Sequence, residues 1–210
     1  MRSLTALQVM QDAPVIPVIV LDHVQDAVPL ARALVAGGLR MLEITLRTPQ
    51  ALACIEAIAR EVPQAVPGAG TVRNSADVQA AQQAGACFLV SPGYTSTLGQ
   101  AARTYGLPLL PGVATGSEIM TALDDGHTVL KFFPALAAGG TALLKAWSGP
   151  FADVRFCPTG GISPQNARDF LALPNVTCVG GSWLTPAQAI AERNWDVITR
   201  LAAQAVQLRA

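Results

Sequence analysis

The sequence predicts an α/β protein in which eight strand-then-helix units close a (β/α)8 TIM barrel, with an extra N-terminal helix at about residues 3–12. Three observations lead to this fold class. Short apolar runs alternate with alanine-rich helical stretches along the whole chain. Strict alternation of strand and helix implies parallel strands with right-handed crossovers, and eight such units are the number that closes a barrel. A composition of 51% hydrophobic and 13% charged residues suits strands that are buried on both faces.

The strands are short apolar runs followed by glycine, proline, threonine or polar residues. In chain order they are VIPVIVL (15–21), LRMLEITL (39–46), AVPGAGT (65–71), CFLVSPG (87–93), PLLPGVA (108–114), HTVLKFFP (127–134), VRFCPTGG (154–161) and VTCVGGSW (176–183). Predicted helix starts include Thr48–Pro49, Ser75 and Ser163–Pro164. Predicted helix ends are Gly37, Gly85, Gly106 and Gly126. An open doubly wound sheet is the alternative, disfavoured because GAGTVR (68–73) lacks the third glycine of a dinucleotide fingerprint.

Length and composition exclude several classes of protein. The 210 residues suit a single domain over 1–210. A net charge of zero, without a lysine and arginine cluster, gives no footprint for nucleic acid or an anionic membrane. The N-terminal residues lack the apolar core of a signal peptide, and the four cysteines are scattered, so we expect a cytoplasmic protein with reduced thiols. With only His23 and His127, and no clustered cysteines or carboxylates, we expect no metal site.

Lys131 interrupts the apolar run TVLKFFP, although the chain has only one other lysine, Lys145. Alternate strand residues face opposite sides, and the leucines and isoleucines of each run must face the helices. Glu43 and Arg47 share the other parity of the second strand, as Lys131 and Phe133 share that of the sixth. We therefore expect an amine and a carboxylate to meet inside the barrel, towards the strand ends where barrel enzymes carry out their chemistry.

Burial disfavours the ammonium form of lysine and favours a neutral amine that can add to a carbonyl group. Arg47 is suited to a planar carboxylate through its two parallel donors, and the hydroxyl of Thr71 ends the third strand nearby. The alternative is a buried Lys131–Glu43 ion pair that only fixes the packing of the core.

Two glycine-rich segments give a second, independent indication of function. PTGGIS (158–163) closes the seventh strand, with Ser163 expected to cap the next helix, and VGGSW (179–183) closes the eighth. Barrel enzymes frequently bind phosphate at these two loops, where glycine lets backbone N–H groups approach an anion. A hydroxyl from Thr159 or Ser182 would add to the site. The two loops together predict a phosphorylated ligand.

The segments VLKFFPA, LEITLRT, GAGTV, SPG, RFCPTGGISPQN and VGGSWL closely resemble those of the 2-keto-3-deoxy-6-phosphogluconate (KDPG) aldolases, some of which also act as 4-hydroxy-2-oxoglutarate (KHG) aldolases. The resemblance extends over essentially the whole chain. It implies a class I, metal-independent aldolase without a cofactor, assembled as a homotrimer and acting in the Entner–Doudoroff pathway. The substrate it implies is a small phosphorylated keto acid.

The resemblance also implies roles for individual residues. Lys131 would form the Schiff base, Glu43 would move protons, and Arg47 with Thr71 would bind the carboxylate of pyruvate. The phosphate contacts would be Thr159, Gly160, Gly161, Gly180, Gly181 and Ser182, and the residues lining the pocket would be Pro92 and Phe133.

The chain departs from the family pattern at Leu136, where an acidic residue is common, and at Ala114 and Gly116. These departures leave the preferred aldehyde partner open. Two other functions also stay open: an isomerase or epimerase in which Lys131 is only an electrostatic group, and a non-catalytic sensor of phosphorylated sugars.

Overall fold

Strands and helices alternate along residues 4–209, the part of the chain described by the computed structural model. The strands are β1 (Val15–Ile19), β2 (Met41–Thr45), β3 (Val66–Gly70), β4 (Phe88–Val90), β5 (Leu109–Leu110), β6 (Gly112–Val113), β7 (Val129–Phe132), β8 (Arg155–Pro158) and β9 (Val179–Gly181). The helices are α1 (Ala6–Gln11), α2 (Val24–Ala36), α3 (Ala51–Glu61), α4 (Ser75–Gln83), α5 (Ser96–Thr104), α6 (Gly116–Asp124), α7 (Gly140–Trp147), α8 (Ala167–Leu171), α9 (Ala187–Ala191) and α10 (Trp195–Val206). The expected N-terminal helix is α1, and Ser3 lies outside the described residues.

All the strand pairs are parallel, which confirms the predicted α/β class. Six strands pair in the order β5-β4-β3-β2-β1-β9 and three in the order β6-β7-β8. The fifth predicted run is divided into β5 and β6 at Pro111, a residue without an N–H group to donate to a neighbouring strand. Single parallel bridges also join Thr159 to Gly180 and Phe156 to Val176.

Alternate residues of the strands enter two separate apolar clusters. The outer cluster packs the strands against the helices and includes Leu42, Ile44, Leu130 and Phe132. The inner cluster lies on the opposite strand face and includes Val9, Met10, Ile16, Met41, Phe88, Leu110 and Cys157. Helix α1 therefore packs its apolar side on inner residues near the N-terminal ends of the strands. The separation confirms the two-residue alternation expected from the sequence.

Two predicted helix starts are wrong because side chains and turns take the residues elsewhere. Helix α3 begins at Ala51, and the Thr48 hydroxyl donates to the Leu21 carbonyl after β1 rather than capping the helix. Helix α8 begins at Ala167, and the Ser163 carbonyl accepts from the Asn166 and Ala167 N–H groups in a preceding turn. Ser163 is therefore not the cap of α8.

The predicted helix ends are confirmed. Gly37 is the C-cap of α2, and Gly85, Gly106 and Gly126 follow α4, α5 and α6 with φ angles of 85°, 68° and 84°. These angles lie in the left-handed region that glycine adopts at little cost. Within residues 4–209, no helix combines the length and the apolar character needed to cross a lipid bilayer.

Candidate active site

The side chains of Lys131 and Glu43 meet in the protein interior. Lys131 comes from β7 and Glu43 from β2, strands that belong to different sheets. Their side chains are each 3% exposed, and Lys131 Nζ lies 3.6 Å from Glu43 Oε1. The Phe133 ring lies on the same side, with its centroid 4.9 Å from Lys131 Nζ. The structure thus brings together the amine and the carboxylate that strand parity placed on one face.

One oxygen of the Glu43 carboxylate, Oε1, faces the lysine amine without forming a hydrogen bond. This atom is buried and has no hydrogen-bond partner among the described residues. A buried polar atom left in this state carries a desolvation cost of about 1–3 kcal/mol. Buried polar groups are normally hydrogen-bonded, so an exception beside a buried amine indicates a functional site.

Arg47 and Thr71 form a second polar pair at the C-terminal ends of β2 and β3. The Arg47 Nε–H group donates to Thr71 Oγ1 at 3.1 Å. Thr71 has a φ angle of 60°, which is rare for a β-branched residue and costs about 1–3 kcal/mol. In this backbone conformation the Thr71 hydroxyl accepts the hydrogen bond from Arg47. The pair is therefore a preorganised contact at the rim, with donors suited to a carboxylate.

The two glycine-rich loops come together in one small cavity, as the sequence predicted. The cavity has a volume of about 110 Å³ and is lined by Val18, Arg47, Phe133, Thr159, Gly160, Gly161, Ile162, Gly180 and Ser182. Gly160 and Gly161 have φ angles of 98° and 77°. A Cβ atom on Gly180 would lie 2.3 Å from Thr159 Oγ1, so the absence of a side chain there makes room for the threonine.

Two of the residues predicted for the phosphate loops and the pocket lining, Gly181 and Pro92, are not among the residues that line this cavity. Gly181 does not line this cavity, and a Cβ atom on it would come within 2.1 Å of the Trp183 ring. Pro92 lines a separate cavity together with Tyr94 and Glu118. Sequence analysis missed Val18 as a lining residue, although the alternation of β1 was an available signal and Val18 lies opposite Glu43 in the β1–β2 register.

The two histidines take no part in this site. His23 is the N-cap residue of α2. His127 precedes β7, and its ring meets the Tyr94 ring edge-on with centroids 5.2 Å apart. Burial, reinforced by the nearby Arg103 charge, lowers the pKa of His127 below its usual value of 6.5. Within residues 4–209, no group of three or more histidine, cysteine, aspartate or glutamate side chains could hold a metal ion.

A buried amine beside a carboxylate, within two parallel strands and next to a cavity formed by two glycine-rich loops, is suited to covalent chemistry on a keto acid, and similarity to known proteins makes this chain a lyase of the aldolase class. The chain belongs to the KDPG and KHG aldolase family, whose model matches residues 7–201.

Two relatives with aldolase names resemble the chain over nearly its whole length. It is 53% identical over 204 residues to the 2-dehydro-3-deoxy-phosphogluconate aldolase of Pseudoalteromonas atlantica, covering 97% of this chain and 95% of the relative. It is also 53% identical over 203 residues to the KHG/KDPG aldolase of Escherichia coli K12, with the same coverage of 97% and 95%.

Solved structures of aldolases share the fold. The KDPG aldolase of Legionella pneumophila, with pyruvate captured as a covalent carbinolamine intermediate, superposes with a TM-score of 0.95 at 48% identity, covering 97% of this chain and 99% of that one. The 2-keto-3-deoxy-6-phosphogluconate aldolase of Zymomonas mobilis ZM4 with 3-phosphoglycerate gives a TM-score of 0.91 at 49% identity, covering 97% and 95%.

Proposed function

We propose that this chain is a class I aldolase that cleaves 2-keto-3-deoxy-6-phosphogluconate to pyruvate and glyceraldehyde 3-phosphate, and that it also acts on 4-hydroxy-2-oxoglutarate. The observation that carries the proposal is the buried amine of Lys131, 3.6 Å from the Glu43 carboxylate. The names of the relatives support the choice of substrates, and the carbinolamine in the Legionella structure supports covalent chemistry at an amine.

The reaction begins when Lys131, whose ammonium form pairs with Glu43 in the unliganded site, loses a proton and its neutral Nζ atom adds to the C2 ketone of the substrate. Loss of water from the carbinolamine gives an imine, and the protonated imine withdraws electrons from the C3–C4 bond. Glu43, through a bound water, takes the proton of the C4 hydroxyl as that bond breaks and glyceraldehyde 3-phosphate leaves. The enamine that stays on Lys131 is protonated at C3, and water hydrolyses the resulting imine to pyruvate and free amine. The covalent route replaces one high barrier with several lower ones.

The remaining site residues would orient the substrate around this amine. Arg47 and Thr71 would bind the carboxylate, since the guanidinium group offers paired donors. The two glycine-rich loops would bind the phosphate, and Phe133 would provide an apolar wall. The proposed phosphate contacts are Thr159, Gly160, Gly161, Gly180, Gly181 and Ser182.

The finer architecture is also a proposal. We propose that the strands close a complete (β/α)8 barrel in one domain over residues 1–210. The parallel bridge between Thr159 and Gly180 supports closure on one side, and the short Pro111 break between β5 and β6 supports it on the other. We propose a homotrimer by resemblance, to be tested by light scattering. None of the four cysteines, all of which lie within the described residues, forms a disulfide, which supports our proposal of a cytoplasmic location.

Borohydride reduction in the presence of pyruvate tests the mechanism directly. We expect intact-mass and peptide analysis to find one reduced pyruvate adduct, on Lys131. Lys145 provides the matched control because it is the only other lysine and is exposed on α7. Lys131→Ala should abolish both the adduct and the cleavage of KDPG, whereas Lys145→Ala should change neither.

Absence of an adduct would overturn the aldolase proposal. An assay for sugar-phosphate isomerisation would then separate an isomerase, which would be active, from a sensor, which would bind the phosphorylated acid without converting it. Normal cleavage by Lys131→Ala would also contradict the mechanism. Competition between KDPG and 4-hydroxy-2-oxoglutarate in the wild type would establish whether one site serves both substrates.

A further inference from the structure

Strand β3 has no side chain at the two positions that face the interior beside Glu43. Gly68 pairs with Glu43 in the β2–β3 register, and Gly70 pairs with Thr45. A Cβ atom on Gly68 would lie 2.4 Å from the ring of Phe88, within the inner apolar cluster. A Cβ atom on Gly70 would lie 2.3 Å from Glu43 Oε1 and 2.6 Å from Glu43 Cγ. The aromatic ring and the carboxylate thus each occupy space that a side chain on β3 would fill.

The backbone of Gly70 does not itself require glycine. Its φ angle lies outside the left-handed region, so an alanine could adopt the same conformation. The contact with Glu43 is therefore the feature that demands a missing side chain there. Because Oε1 has no hydrogen-bond partner, packing against Gly70 and the approach to Lys131 Nζ locate this oxygen.

We propose that Gly70 is a positioning residue for the proton-transfer step, because its missing Cβ leaves Glu43 the space from which its carboxylate approaches Lys131. This inference rests on the proposed function of Glu43 as the proton shuttle. A methyl group at position 70 would push the carboxylate away from the amine while leaving the amine in place. The proton transfers would slow, whereas the cavity formed by the glycine-rich loops would keep its residues.

The kinetic test compares two alanine substitutions on the same face of one strand. A positioned general acid–base group contributes about 10²–10⁴-fold, so partial displacement in Gly70→Ala should lower kcat about 10- to 100-fold. Its KM for KDPG should change by less than about threefold, because Arg47 and the phosphate loops are untouched, and pyruvate with borohydride should still label Lys131. Gly68→Ala is equally crowded but meets Phe88 instead of a carboxylate. It should lower Tm and leave kcat within about threefold of the wild type.

A second pair of variants tests the contact itself and does not depend on Gly70→Ala being well folded. In a Glu43→Ala background the carboxylate is gone, so the methyl group of Gly70→Ala enters vacated space. Gly70→Ala should therefore lower Tm in the wild type but leave it unchanged or raise it in Glu43→Ala. It should also cause no further loss of kcat in that background, because coupled residues give non-additive effects.

Several results would overturn the inference: a kcat of Gly70→Ala within about threefold of the wild type, an equal loss of kcat in Gly68→Ala, or additive effects with Glu43→Ala. These outcomes differ from a failure of the proposed function. If Lys131 forms no Schiff base, the wild type itself gives no pyruvate adduct, whatever residue occupies position 70.

Discussion

Replacing Lys131 with methionine should show how far the stability of the fold depends on the pairing of Lys131 with Glu43. The substitution leaves Glu43, only 3% exposed, without the cation that lies 3.6 Å from it. At that separation, two unit charges attract by about 4–5 kcal/mol at an effective dielectric constant of about 20. Removal of one partner from a buried pair typically costs about 3–5 kcal/mol, because the other charge stays buried and uncompensated. We therefore expect Lys131→Met to lower the free energy of unfolding by about 3–5 kcal/mol.

The double variant Lys131→Met with Glu43→Met should be at least as stable as the wild type, since apolar replacement of a whole buried pair is often neutral or stabilising. Denaturant unfolding with a comparison of m-values measures both effects, and the single variant should lower Tm by about 6–20 °C in a chain of this size. Lys145→Met is the exposed control and should stay within about 0.5 kcal/mol. A single variant as stable as the wild type, or a double variant as unstable as the single one, would refute the reasoning.

Three further predictions concern the rest of the site and one distant group. Arg47→Lys removes the fork that contacts Thr71 and should weaken pyruvate binding about 10-fold or more; unchanged binding in borohydride titrations would contradict its role. Gly161→Ala, at φ 77°, should lower kcat/KM about 10-fold for KDPG but much less for 4-hydroxy-2-oxoglutarate, which has no phosphate; equal losses would argue against a phosphate loop. Burial lowers the pKa of His127, so the unfolded chain binds that proton more readily and stability falls as the pH drops through 6.5. His127→Phe, which keeps a ring against Tyr94, should reduce this acid sensitivity in thermal unfolding from about pH 8 to 5, and an unchanged pH dependence would contradict the assignment.

Strand periodicity was sufficient to predict the central pair of the site. Side chains alternate between the two faces of a strand, so Lys131 and Leu130 lie on opposite faces, as do Glu43 and Leu42. Because the leucines pack against the helices, the lysine and the glutamate must both face the interior. The meeting of the two glycine-rich loops was predictable for a different reason: the C-terminal ends of parallel strands lie at the same edge of the sheet. Patterns within single strands were therefore enough to predict that these residues, far apart in the sequence, meet in the structure.

Contacts between separate segments were not predictable from local patterns. Thr48 has the residue type of a helix cap, but its hydroxyl is bound by the carbonyl of Leu21, which a local pattern does not reveal. Pro92 follows its strand as expected, yet it lines a second cavity with Tyr94 and Glu118. The requirement for glycine at position 70 depends on a side chain from the neighbouring strand, so GAGTV alone gives no reason for it.

Helix α1 covers the end of the strands that is remote from the candidate active site, which makes that end suitable for linking the protein to a solid support or a fusion partner. Val9 and Met10 are 1% and 0% exposed and lie with Phe88 near the N-terminal ends of the strands, away from the ends that carry Arg47 and the glycine-rich loops. A resin or fusion partner joined ahead of α1 would therefore leave the mouth of the site unobstructed. Immobilised protein should turn over substrate at close to its free rate when tethered at that end.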